Sequence, residues 1–196
     1  MRKVAENLWT MSYPLSVLGT DHGRTVTVIR LASGKVILHS MAPFSAQDLD
    51  EIRSVGEVSW LVEAMLLHDT YAREGRNQFH DIPFLAPPGF PDVVKFPTKP
   101  LLHIPDEWRD EVDDIEMQGA PRLREYVFLH RPSRTLIVAD LVFNFDPDER
   151  GWNRLFHGYL AGFKRYPGMS RVFRLFITDK AAFNASVERL MALEFD

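Results

Sequence analysis

The 196-residue sequence contains no cysteine. Disulfides, thiolate metal sites and cysteine nucleophiles are thereby excluded, and cysteine usage says nothing about the redox compartment. No apolar run approaches the roughly 18 residues that a membrane span needs. Residues 1–10 carry Arg2 and Lys3 but lack the apolar stretch of a signal peptide. A cytoplasmic protein without a membrane partner is the expectation. Positive charge is not in excess: 23 Lys+Arg stand against 27 Asp+Glu, a net charge of −4. A broad nucleic-acid surface is therefore not expected. A phosphate loop, a Gly-x-Gly-x-x-Gly turn and a Gly-x-Ser-x-Gly elbow are all missing, so nucleotide binding and serine hydrolysis have no motif behind them. There is no internal repeat and no low-complexity tract.

What is present is an ordinary globular composition, 45% hydrophobic and 26% charged, at a length that suits one domain over residues 1–196. Strand and helix signals alternate. Residues 24–31 are rich in β-branched side chains and end before Ala32-Ser33-Gly34; residues 35–39 read Lys-Val-Ile-Leu-His. Together they predict a hairpin. Ser45 is placed to cap a helix with Asp48 in its first turn, Leu49, Ile52 and Val55 on one side and Gly56 as its stop. Residues 57–62 then form a strand, and this strand–helix–strand order implies a parallel neighbour reached by a right-handed crossover.

Residues 75–105 hold Pro83, Pro87, Pro88, Pro91, Pro97, Pro100 and Pro105, which forbid a long helix. Phe79, Phe84, Leu85, Phe90 and Phe96 are too apolar for a solvated linker and predict a packed excursion with a short strand near residues 82–85. A turn or two of helix is expected around Trp108, over residues 106–114. Residues 125–130 and 135–143 flank Arg131-Pro132-Ser133-Arg134 and form the clearest hairpin, its second strand apolar on both faces and so expected to be central. Trp152, Leu155, Phe156, Tyr159, Leu160 and Phe163 recur at helical spacing. Asp179 is placed to cap a last helix bearing Phe183, Val187, Leu190 and Met191, while residues 172–177 suit either strand or helix.

Candidate chemistry lies in histidines and carboxylates near strand ends, where sites gather in open α/β sheets. His39 ends a strand, His68-Asp69 follows the strand at 57–62, and Asp140 interrupts an apolar strand, where a carboxylate must pair, bind metal or receive donors. Such a His/Asp set suits one zinc, iron or manganese ion able to activate water; no other cofactor is indicated. The bland readings are a hydrogen-bonding His68, a packed His39 and an Asp140 that accepts backbone amides. His130, at the turn end of its hairpin, is separated from Asp140 by roughly five residues at about 3.4 Å each and should not share its site. His22, His103 and His157 read as surface or packing residues, and His80-Asp81 is a weak candidate. Arg131 and Arg134 read most simply as turn residues, and Ser133-Arg134-Thr135 is a weak candidate for holding an anion.

Three segments carry a resemblance: residues 27–40 (Thr-Val-Ile-Arg-Leu-Ala-Ser-Gly-Lys-Val-Ile-Leu-His-Ser), residues 52–71, and residues 125–144, with the run His-Arg-Pro-Ser-Arg-Thr-Leu-Ile-Val-Ala-Asp. They resemble a domain-of-unknown-function family related to the metallo-β-lactamase fold. The resemblance implies an α/β protein of four layers, an αββα sandwich of two mixed β-sheets with helices outside. Hydrolases of that fold hold two metals with a His-x-His-x-Asp-His loop, a later His, a strand-end Asp and a final His. Laid onto this sequence, the loop falls on Glu63-Ala64-Met65-Leu66-Leu67-His68, where only His68 matches. Glu63, Met65 and Leu67 replace the two histidines and the aspartate. Asp140 matches the strand-end Asp, no histidine stands near Gly119 or Ala120, and the sequence ends at Glu194-Phe195-Asp196, where the strand before the final His would begin.

Three functions follow as alternatives. The first is a metallo-β-lactamase-like protein with a degenerate metal site, working by binding or scaffolding. The second is a metal-dependent hydrolase with a reduced mononuclear site on His68 and Asp140, helped by His39, Asp69 or Glu63. The third is a non-enzymatic interaction module using residues 83–100. No motif names a small-molecule ligand or an oligomeric state.

Overall fold

The structure, a computed structural model, describes residues 1–145, 148, 150–163 and 167–195. In chain order its strands are β1 (Arg2–Ala5), β2 (Leu8–Tyr13), β3 (Ser16–Val17), β4 (Thr20–Asp21), β5 (Arg24–Arg30), β6 (Lys35–His39), β7 (Glu57–Val62), β8 (Phe84–Ala86), β9 (Lys99–Pro100), β10 (Val112–Glu116), β11 (Tyr126–His130) and β12 (Thr135–Ile137). The helices are α1 (Ala46–Val55), α2 (Ala72–Gln78), α3 (Phe90–Val94), α4 (Gly151–Leu155), α5 (Arg171–Leu175) and α6 (Lys180–Met191). One sheet has seven strands in the order β1-β2-β5-β6-β7-β8-β9, a second runs β10-β11-β12, and β3-β4 form a small ribbon.

Alternation along the strands builds the layers. On β6, Val36 and Leu38 face α1, α2 and α3 in a core with Val26, Val28, Ile52, Ala72 and Phe90. Ile37 on the opposite face joins Leu8, Ile29, Trp60, Val62 and, across the sandwich, Tyr126 and Phe128 of the second sheet. The other face of that second sheet, through Val127, packs with Phe173, Phe183 and Leu190 of α5 and α6. Helix, sheet, sheet, helix is thus the observed order, with burial of each large core side chain contributing on the order of 1.5–3 kcal/mol.

The expected local signals operate in the first half. β5 and β6 pair antiparallel, β6 and β7 parallel, with α1 as the crossover. Ser45 Oγ accepts from Asp48 N at 3.2 Å while Asp48 Oδ2 accepts from Ser45 N at 2.8 Å, a complete capping box. Gly56 is required by close approach, because a Cβ there would run into the backbone of Gly34 and the side chain of Val36. The proline-rich excursion is packed: Phe79, Phe84, Phe90 and Val94 all lie in the first core. These side chains are used internally, which removes the basis for a partner surface on residues 83–100.

Several expectations are corrected. The seven-stranded sheet is mixed, whereas the three-stranded one is antiparallel. Only Asp106–Trp108 are helical in the acidic stretch, and β10 follows as an edge strand. The strand expected over residues 135–143 stops at Ile137 and lies at a sheet edge, leaving β11 central. Its early end follows from the Glu125 carboxylate, which takes the backbone amides of residues 139–141. The helix expected over residues 152–163 breaks into α4 and a π-helical turn at Phe156–Leu160, and Trp152, Leu155, Tyr159 and Leu160 are exposed. A π turn rotates the face, so the helical spacing no longer marks one buried side. Of residues 172–177, the first four resolve as helix in α5 (Arg171–Leu175), and Met191 on α6 is exposed. Among the described residues no helix is long and apolar enough to cross a membrane.

Candidate functional site

β7 delivers the chain to the mouth of the sandwich, and residues 63–68 form the loop there. The loop is stitched to the second sheet: Tyr126 N donates to Ala64 O at 2.8 Å and Leu66 N to Leu123 O at 2.9 Å. This tether decides where the side chains go. Met65 enters the outer core with Leu123 and Phe173, Leu67 is exposed, and Glu63 is fully buried.

A cation meets Glu63, and it belongs to the protein. Arg24, at the start of β5 and 5% exposed, places Nη2 at 2.7 and 2.8 Å from the two Glu63 oxygens and donates from Nε to Met41 O at 3.1 Å. Met41 N donates to Glu63 Oε1 at 2.8 Å. Burial raises the Glu63 carboxyl from its ordinary value, and the Arg24 charge opposes that rise.

His68 lies above this pair. Its Nε2 is hydrogen-bonded to Asp140 Oδ1 at 3.1 Å, and its Nδ1, 3.8 Å from Glu63 Oε2, has no hydrogen-bond partner among the described residues. Burial works against ionisation of Asp140, but the hydrogen bond and charge of His68, with Arg24 nearby, outweigh it and hold the carboxyl below the usual range. Residues 139–141 are bent around Glu125, which precedes β11 and is fully buried. Its oxygens accept from Ala139 N at 2.9 Å, Asp140 N at 3.1 Å and Leu141 N at 3.2 Å. Amides committed to a carboxylate cannot continue a strand ladder, which is why β12 ends at Ile137 and why Asp140 turns toward His68. Burial, aided by the neighbouring Asp140 charge, pushes the Glu125 carboxyl up to about 7, against the pull of the amides.

The structure therefore brings together His68, Asp140 and Glu63 from the sequence-derived set. It does not bring Asp69, which is exposed. His39, 2% exposed at the end of β6, sits edge-on to Phe128 at 5.1 Å with Nε2 unpartnered among the described residues. Burial pushes its pKa down to about 3, so it is neutral. His130 pairs across the ladder with Thr135, at the far end of the hairpin from Asp140, as expected. His157, expected at the surface or as packing, is fully buried and stacks on Phe145 at 3.8 Å between centroids. Arg24 and Glu125 are the two residues that reading the sequence did not single out for this site. The available signals were two acids flanking apolar strands, Glu63 after β7 and Glu125 before β11, because each must find donors if it is buried.

Beside the cluster opens a cavity of about 730 Å³. Arg24, His68 and Asp140 lie in its wall with Thr27 and Ser40, and Phe143, Phe145 and Phe163 supply aromatic faces. Ser40 holds a left-handed backbone, φ 72°, a conformation that costs a non-glycine residue about 1 kcal/mol or more.

No protein-family model matches the sequence, and neither does any curated protein. Solved structures match the fold. The DIM-1 metallo-β-lactamase is 16% identical with a TM-score of 0.63, over 98% of this chain and 84% of that one. A metallo-β-lactamase from Pontibacter korlensis is 10% identical with a TM-score of 0.62, over 98% and 84%. One from Erythrobacter litoralis is 13% identical with a TM-score of 0.61, over 98% and 82%. The fold is that of the metallo-β-lactamases.

The metal centre that this fold implies does not fit the residues present. Among the described residues, no group of three or more His, Cys, Asp or Glu side chains is placed to hold a metal ion. Glu63 and Asp140 approach opposite nitrogens of the His68 ring, so the three do not converge on one point. Both Glu63 oxygens are taken by a guanidinium, whose charge would repel a second cation nearby.

Proposed function

We propose that this chain is a metallo-β-lactamase-fold protein without a competent dinuclear metal centre, and that it works by binding a small molecule in the cavity beside His68 and Asp140. The observation that carries the reading is the buried Arg24–Glu63 pair. Glu63 stands where the metal-binding loop would place its first histidine, and an internal arginine supplies the positive charge that a metal would otherwise bring to that carboxylate. Elemental analysis of purified, dialysed protein tests it. Zinc, iron and manganese well below one equivalent are expected. Near-stoichiometric metal that is lost in Asp140→Asn overturns the proposal.

The His68–Asp140 contact favours a second reading, a mononuclear hydrolase. Two protein ligands fall short of the three that catalytic zinc ordinarily keeps. A panel of esters, phosphodiesters and lactones with added Zn²⁺ or Mn²⁺ separates the two. Turnover that disappears in both His68→Ala and Asp140→Asn establishes the second reading; turnover absent, or indifferent to both substitutions, leaves the first.

A further inference from the structure

We propose that the cavity is a site for an apolar small molecule carrying a cationic amine head, with Asp140 as its counter-ion. The inference deepens the binding role above and rests on it. Its volume of about 730 Å³ lies within the range of small-molecule sites, ~300–1,000 Å³. Two features of the wall choose the ligand. The first is the balance of charge. Arg24 and Asp140 are the charged Lys, Arg, Asp or Glu residues among the described lining residues. Arg24 is already paired with the Glu63 carboxylate at 2.7 Å, so an incoming anion would meet that carboxylate, and Asp140, beside the cation. Asp140 uses Oδ1 for His68; no described residue hydrogen-bonds to Oδ2, and the side chain is 33% exposed. The open valence in the wall is thus an acceptor with negative charge, complementary to an ammonium donor.

The second feature is the apolar body of the cavity. Phe143, Phe145 and Phe163 line it, so an alkyl or aromatic frame finds apolar surface to bury against. Val142 and Leu18 line the wall and are exposed at the same time, at 39% and 77%. An apolar ligand running outward from Asp140 would cover them. The proposed ligand class is therefore a primary or secondary amine on an alkyl or aromatic frame.

Isothermal titration of the purified chain at pH 7 with n-octylamine, 1-octanol and octanoate tests this. Octylammonium is expected to bind at least about tenfold more tightly than octanoate, the scale of one charge-assisted hydrogen bond. Affinity is expected to rise about fourfold per CH₂ from butylamine to octylamine, as burial of each methylene requires. Asp140→Asn is expected to lower octylammonium affinity at least about tenfold and to leave that for octanol in place. The proposal is overturned if octanoate binds as well as octylammonium, if octylammonium does not bind, or if chain length has no effect. Should Asp140→Asn fail to fold by circular dichroism, the three-ligand comparison on the unmodified chain decides alone. Metal content is measured on the same sample: metal-free protein that prefers octanoate overturns only the amine assignment, whereas a stoichiometric metal overturns the underlying role and the amine assignment together.

Discussion

Replacing Arg24 by methionine removes the guanidinium while keeping most of the side-chain length. The substitution deletes three hydrogen bonds, from Nε to Met41 O and from Nη2 to both Glu63 oxygens. It leaves a fully buried carboxyl with Met41 N as its remaining donor among the described residues. Breaking a buried pair from one side costs about 3–5 kcal/mol. For a chain of this size each kcal/mol moves the melting temperature by about 2–4 °C, so Arg24→Met should melt about 6–20 °C lower at neutral pH. The deficit carries a pH signature. Without Arg24, burial acts on Glu63 with little opposition and raises its folded-state pKa above the unfolded value of about 4.3. The folded variant then holds this proton more tightly than the unfolded chain does. Its deficit is smallest below about pH 4.3 and grows as pH rises through the raised value. Glu63→Gln in the same background removes the stranded charge and should recover at least about 1 kcal/mol at pH 7. Urea denaturation of the three proteins at pH 4.5 and 7.5 reads all of this. An Arg24→Met protein within about 1 kcal/mol of the parent, or one whose deficit is equal at both pH values, would refute the claim that Arg24 is what balances the buried Glu63 carboxylate.

Glu125 offers a second pH test. Its pKa, raised by burial to about 7 from an unfolded value near 4.3, means that its contribution is fully present below that unfolded value. The contribution is lost as pH rises toward 7, so the parent should lose about 3 kcal/mol relative to Glu125→Gln across that window, read by urea denaturation. Glu125→Ala strands three backbone amides and should cost about 3 kcal/mol or more, with residues 138–141 losing amide-exchange protection. Gly75→Ala tests packing against propensity. Alanine in a helix normally gains about 1 kcal/mol over glycine, but a Cβ at residue 75 would lie 2.5 Å from Met41 Sδ and 2.8 Å from its Cβ. A net loss of about 1–3 kcal/mol in thermal denaturation is expected, and a gain would show that Met41 moves aside freely.

How much of this was legible in the sequence depends on the range of the interaction that decides each feature. The β5–β6 hairpin, the Ser45–Asp48 capping box and the α1 crossover are set by residues within a few positions of one another, and the sequence carries them openly. The end of β12 is set by Glu125, 14–16 residues away, and no local pattern in residues 135–143 announces that their amides will be taken. The helical spacing of Trp152–Phe163 was a misleading guide for the opposite reason: it is local, but nothing in it shows which face meets the core. His68 and Asp140, 72 positions apart, are grouped with His39 by their places at strand ends, and the fold resemblance sharpens that group to the pair.

As a residue, Arg24 is an unremarked arginine at the start of a strand. Its role follows only from Glu63, 39 positions later, because a carboxylate placed at the end of an apolar strand cannot be buried without a cation or several donors. Electroneutrality asks which group balances a buried acid such as Glu63. In this fold three sources exist, a metal, a protein cation or a proton, and each leaves a different trace. A metal needs converging donors, a proton leaves a carboxyl with raised pKa and few charged neighbours, and a protein cation leaves a short charge-assisted contact to the carboxylate oxygens. Glu125 shows the second trace, with backbone amides as its only donors among the described residues, and Glu63 shows the third. Within one mouth of the sandwich, two buried acids are therefore held by two different devices. Asp140, between them, is the acid left with an oxygen facing the cavity, which is why the ligand is sought there.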